Sequence, residues 1–129
     1  MSSANGILFD HGRTARIGLP EAVFCEGKPE GAVIELLVRF ASSSSPPILF
    51  TRLAVEVFAS LAGEIAGSYD YHPLSRTAFR ETLPGQGKGS VAIVSAGTAD
   101  GPVAWEAART LSYLGIAHRL FEDCGVAGL

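Results

Sequence analysis

The sequence is poor in the patterns that announce metal or redox chemistry. It holds two cysteines, Cys25 and Cys124, far apart and neither in a CxxC pair. In a cytosolic protein such thiols read as small buried side chains. Its three histidines, His11, His72 and His118, are scattered without metal-site spacing. No apolar run approaches the roughly 20 residues that cross a bilayer. The N-terminal MSSANG lacks the charged-then-apolar layout of a signal peptide. A cytoplasmic protein without a membrane partner is expected. Charge is sparse too: 18% of residues are charged and the net charge is −3. That balance speaks against nucleic acid as the main partner, although a local basic patch can still hold a phosphate.

What is there suits a soluble globular chain. The 129 residues, 47% of them hydrophobic, suffice for one ordinary domain or two very small ones. The stretch 7–27 reads as extended segments broken at Gly18-Leu19-Pro20, with EAVFCEG (21–27) a strand. Pro29 is a natural first helical position, and Val33, Ile34, Leu36, Leu37 and Phe40 predict an amphipathic helix to about Ala41. SSSSPP (42–47) is a loop and ILFTR (48–52) a short buried strand. A second helix is expected over 53–66, with Ala54, Val57, Phe58, Leu61 and Ile65 on one face, before strand and turn return over 69–79.

TLPGQGKGS (82–90) is the best candidate linker, dividing an N-terminal α/β domain (1–81) from a second unit (91–129). Its Gly-Lys is not a phosphate-binding P-loop. Gly89 follows the lysine where Ser or Thr is needed, and Thr82 stands where the leading glycine belongs. Beyond it, VAIVSA (91–96) has the pattern of a strand buried on both faces. A helix with Pro102 near its start and a stripe of Val103, Ala107, Leu111 and Leu114 follows, ended by Gly115; IAHRLFED is the next strand. This β-α-β unit closes into a parallel sheet. Two parallel strands make no stable sheet of their own, so the unit reads as the opening of a larger doubly wound domain.

Ligands of such sheets sit beyond the C-terminal strand ends. Here that place is Ser95-Ala96-Gly97-Thr98-Ala99-Asp100. Small residues let backbone N–H groups approach a ligand, and a helix start favours an anion. Thr98 adds a hydroxyl, and Asp100 either caps the helix or holds a ribose hydroxyl. GxGxxG is absent. The spacing is met equally by a capped turn without a ligand and by a site for a phosphorylated or nucleotide-like molecule. A second constellation is Asp10, Arg13, Arg16, Glu21 and Lys28, with Arg52 and Arg76 at later segment ends. A solvated charged surface accounts for these residues as well. Converging arginines would suit phosphates or carboxylates through the guanidinium fork.

DHGRTARIGLPEAVFCEGK (10–28), FTR (50–52), YHPLSRT (71–77), AIVSAGTADGPVAWEAA (92–108) and EDCGVAGL (122–129) occur in order. Together they resemble the LarB family, synthases that open nickel-pincer cofactor assembly and carry a second domain similar to PurE-type aminoimidazole ribonucleotide carboxylases. The resemblance implies an α/β fold: a small N-terminal α/β domain followed by the first β-α-β of a flavodoxin-like (PurE-like) parallel sheet. It implies an enzyme that carboxylates the pyridinium ring of nicotinic acid adenine dinucleotide with CO2 or bicarbonate and hydrolyses the phosphoanhydride. It adds no cofactor and suggests a homo-oligomer. On this reading Ser95, Gly97, Thr98 and Asp100 belong to the nucleotide site, while Arg13, Arg16, Lys28, Arg52 and Arg76 bind phosphate or carboxylate.

There are departures. Ala99 stands where relatives often have serine, and Trp105 where they are commonly acidic. Trp105 is expected on the helix face of Arg109 and Ser112, opposite the apolar stripe, as a subunit contact. Family members continue past GVAGL and supply a cysteine that links to the substrate ring. Neither Cys25 nor Cys124 falls at its place, so the expectation is a site begun here and completed elsewhere, inactive by itself. Two rivals stand beside it: a non-catalytic nucleotide-binding or oligomerisation module, and a PurE-like carboxylase of purine synthesis.

Overall fold

The structure, a computed structural model, describes residues 21–85 and 89–125. The expected extended segments of 7–20, together with Asp10, Arg13 and Arg16, lie outside the described residues. The first unit runs β1 (Glu21–Phe24), α1 (Glu30–Arg39), β2 (Ile48–Thr51), α2 (Val55–Ala59), α3 (Gly63–Ala66), β3 (Asp70–His72) and β4 (Thr77–Phe79). The second runs β5 (Val91–Val94), a 3-10 turn (Thr98–Asp100), α4 (Gly101–Leu114) and β6 (His118–Phe121). The α/β class expected from the sequence is what is found.

β1 and β2 pair in parallel across α1, while β4 pairs antiparallel with β2 and β3 with β4, giving the order β1-β2-β4-β3. Strand side chains alternate between faces, and here each face has its own cover. Val23, Ile48, Phe50 and Ala78 join Val33, Leu36 and Leu37 of α1, and Phe40 just after it, in the main core. Tyr69 is tied to α1 by its hydroxyl, which donates to the Leu37 carbonyl at 2.6 Å. The opposite face carries Leu49, Thr77 and Phe79, and α4 lies against it: Phe79 and Tyr113 rings sit 5.7 Å apart. β2 is therefore covered on both sides, which accounts for its unbroken apolar run.

β5 and β6 pair in parallel, from Val91 with His118 to Val94 with Phe121, on the far side of α4. The β-α-β unit is thus present as expected. Its strand β5, however, is not buried on both faces, because nothing among the described residues covers its outer side, where Val94 is 66% exposed and Ala92 is exposed too. The helix stripe is also corrected. Val103 is 64% exposed and Ala107 exposed, whereas Ala104, Ala108 and Tyr113 are buried. The small alanines, not the bulkier valine, let the helix approach its neighbours.

The single helix expected over 53–66 is two short ones. The chain turns at Ser60, and Ala62 is extended (φ −58°, ψ 145°) before α3 begins at Gly63. Val57, Phe58, Leu61 and Ile65 still pack on the main core, so the face was right although the path was not. The first half of 82–90 rests on the end of α4: the Leu83 N–H donates to the Tyr113 carbonyl at 2.8 Å. Gly115 ends α4 with φ 74°. A Cβ there would meet the Leu83 oxygen at 2.6 Å and the Pro84 oxygen at 2.8 Å.

Candidate functional site

The loop after β5 is held by the extension of the strand pairing. Ser95 N–H donates to the Phe121 carbonyl at 2.9 Å, Cys124 N–H to the Ser95 carbonyl at 2.8 Å and Gly125 N–H to the Ala96 carbonyl at 2.9 Å. Gly125 comes so close that a Cβ on it would stand 2.6 Å from the Ala96 oxygen. The Asp100 carboxylate accepts from the Gly97 N–H at 3.3 Å and closes the turn that leads into α4. Asp100 stands at the N-cap position of α4 but makes no side-chain bond to that helix; its carboxylate closes the preceding turn instead. Ser95 is buried and Thr98 exposed. A hollow of about 470 Å³ opens here, lined by Ile93, Val94, Ser95, Ala96, Asp100, Val103, Ala104 and Ala107. It lies at the C-terminal end of β5, the position where open α/β sheets bind ligands, and its volume is within the range of small-molecule pockets.

The basic residues divide. Arg52 and Arg76 line one pocket of about 120 Å³ together with Ser75, Pro102, Val103 and Glu106. Both hold left-handed backbones, with φ 54° and 56°. That conformation costs a residue with a Cβ about 1–2 kcal/mol, and strain of this kind clusters at functional positions. Arg52 is engaged within the chain: Nη1 donates to Glu26 at 2.9 Å, and Nε and Nη2 to Glu106 at 3.0 and 3.4 Å. These carboxylate partners push its already high pKa further up, Glu106 first. Lys28 is not brought to this pocket; its Nζ donates to the Phe24 carbonyl at 2.8 Å.

Between the first sheet and α4 runs a polar chain that sequence reasoning missed. Arg109 Nε donates to Thr77 Oγ1 at 3.0 Å, and Arg109 Nη1 pairs with Asp70 at 3.1 Å. Thr77 Oγ1 lies 2.8 Å from Ser75 Oγ, itself 2.8 Å from His72 Nδ1. An arginine can only donate, so Thr77 Oγ1 accepts from it, and the Thr77 and Ser75 hydroxyls link that cation to the His72 ring. His72 Nδ1 also accepts the Ser75 N–H at 3.3 Å. This contact favours the neutral ring with its proton on Nε2. Desolvation and the Arg109 charge both hold its pKa below the ordinary 6.5, against a smaller opposing effect of Asp70. Trp105 packs on the same ring, centroids 5.0 Å apart. It shares a face with Arg109 as expected, but within this chain that face meets the first domain. Glu106 carried no signal in the sequence, since only the fold brings it to Arg52.

The thiols differ. Cys25 is buried, and desolvation pushes its pKa up to about 12 despite nearby Lys28, which disfavours the reactive thiolate. Cys124 is exposed, against the expectation of burial. Among the described residues no cluster of His, Cys, Asp and Glu is grouped as a metal site would need, and no helix is long and apolar enough to cross a membrane.

Comparison with known families gives one finding: residues 3–82 match the LarB/PurE-like N-terminal domain. No curated protein matches the chain.

Proposed function

The chain belongs to the LarB/PurE-like N-terminal domain family, and from that premise we propose that it forms the nucleotide-facing part of a carboxylating synthase. The substrate is nicotinic acid adenine dinucleotide with CO2 or bicarbonate; the ring is carboxylated and the phosphoanhydride hydrolysed. The observation that carries this reading is the hollow at the end of β5, where Ser95, the Gly97–Asp100 turn and the start of α4 meet. In it, Ser95 supplies a hydroxyl, and Asp100 lines the hollow and shapes the loop by holding Gly97, while Thr98 is a further candidate on the exposed side of the same turn. Arg76 and Arg52 stand next to it across Val103, which borders both hollows. Arg13, Arg16 and Lys28 remain candidates for phosphate contacts from the N-terminal side.

Calorimetric titration of the chain with nicotinic acid adenine dinucleotide tests this. Saturable binding is expected, weakened about tenfold or more in Asp100→Ala, as befits loss of a charge-assisted loop contact. No heat of binding in a folded sample would overturn the assignment of the nucleotide to these residues.

A further inference from the structure

His72 stands where the β3–β4 hairpin meets α4. The Trp105 ring lies 5.0 Å from its imidazole. Arg109, one helical turn on, is pinned to the same hairpin by bonds to Thr77 Oγ1, the Asp70 carbonyl and the Asp70 carboxylate. Within the hairpin, His72 Nδ1 accepts the Ser75 N–H across the turn that joins the two strands. Ser75 and Thr77 are buried, so a bond lost there is not made good by water. The charged groups that face the ring are Arg109 from α4 and Asp70 from its own strand. β4 and the turn present the uncharged Thr77 and Ser75. Arg76 and Glu106, one residue from Ser75 and from Trp105, belong to the lining of the Arg52 pocket.

A proton on Nδ1 turns this arrangement against itself. A backbone N–H can only donate, so the Ser75 amide loses its acceptor. The new charge also stands beside an arginine that its own bonds hold in place, and the largely exposed Asp70 is already shared with that arginine. We propose that His72 is an acid-released latch between the hairpin and the first half of α4. Protonation frees the β3–β4 turn and Trp105 from each other, while Tyr113 stays packed with Leu49 and Phe79. Desolvation and Arg109 outweigh Asp70 and hold the ring's pKa below the ordinary 6.5. The closed latch therefore binds a proton more weakly than the open one. It holds above pH 6.5 and loosens as pH falls through the closed-state value. The turn carries Ser75 and Arg76, and the helix start Pro102, Val103 and Glu106, which together wall the 120 Å³ pocket. That pocket is smaller than the roughly 300–1,000 Å³ of ligand sites, and releasing the latch parts its walls. Acid thus opens the seam between the two units, independently of what the hollow at β5 binds.

Trp105 is the sole tryptophan, so its fluorescence reports the seam directly. Acrylamide quenching of the full chain is followed from about pH 7.5 to about 4.5, a range that spans the ordinary histidine value. Far-UV circular dichroism is read on the same samples. The quenching constant is expected to rise about twofold or more, with a midpoint below 6.5 and the helical signal retained. His72→Gln keeps an acceptor for the Ser75 N–H but takes up no proton, so its constant should stay level. His118→Gln, on β6 and away from the seam, should follow the wild type. Amide exchange in the wild type gives a second reading that needs no variant. The protection factor of the Ser75 amide should fall about threefold or more over the same range, while that of Cys25, bonded to the Thr51 carbonyl, holds. A level quenching constant in the wild type would overturn the latch, whether or not the ring titrates. So would a rise that persists in folded His72→Gln, one that comes only with loss of the helical signal, or one that leaves Ser75 protection unchanged.

Discussion

His72 Nδ1 accepts the Ser75 N–H and lies 2.8 Å from the Ser75 hydroxyl, an arrangement that a proton on Nδ1 would break. Its pKa is lowered in the fold, so between that depressed value and the ordinary 6.5 the unfolded chain binds more protons than the folded one. Stability must rise with pH across that window. The contribution is full above 6.5 and lost as pH falls through the folded value. Urea unfolding across this range is expected to show that slope in the wild type and a flatter one in His72→Gln, whose amide oxygen still accepts from Ser75. Thr77 is the neighbouring test. It is fully buried and relays between Arg109 and Ser75. Thr77→Val keeps the shape but leaves both partners short of a bond, at an expected cost of about 1–3 kcal/mol in the same measurement. Both residues fall in YHPLSRT (71–77), but neither was given a role from the sequence. A threonine or histidine in a β-hairpin has many ordinary uses, and this one depends on Arg109, which only the tertiary fold brings near.

At the scale of elements, α1 was legible because Pro29 and a stripe of large aliphatics agree on start, length and buried face. The stripe of α4 was misread for a physical reason. Val103 and Leu111 outweigh Ala104 and Ala108 in apolar bulk, but close helix approach selects small side chains. The face of Trp105, Arg109 and Tyr113 docks through one cation, its hydrogen bonds and two rings. Arg109 also lies 4.3 Å above the Phe79 ring. A pattern that sorts residues into apolar and polar cannot see such a face. The end of α4 was legible, since Gly115 stands where a left-handed cap is needed. Gly115→Ala combines that backbone penalty with a Cβ driven into two carbonyl oxygens. An expected loss of about 2 kcal/mol or more is to be read from thermal or urea unfolding.

At the scale of the whole molecule, the outer side of β5 and its surroundings present apolar surface. Phe24, Val91, Val94, Val103 and Phe121 are all more than 40% exposed, and Phe24, Val91 and Val103 line one broad groove with Ile93 and Leu111. Surfaces of this kind drive association, and an unpaired strand edge does the same. Sedimentation of the chain over a concentration series is expected to show self-association, weakened by Val94→Lys. Sequence reasoning read β5 correctly as a strand paired in parallel with β6, yet could not know which of its faces this chain covers. The loop at its end was legible as a ligand-type junction because the period of the pattern changes there. The pocket of Arg52, Arg76 and Glu106 was half legible: the arginines stood out, their carboxylate did not.

α4 belongs to both sheets at once: Tyr113, Arg109 and Trp105 grip the first, while the helix also packs along β5 and β6 of the second. Neither half can shed the helix without exposing the other's core. The two units should therefore melt as one cooperative block. A calorimeter would record a single transition where a beads-on-a-string arrangement would give two.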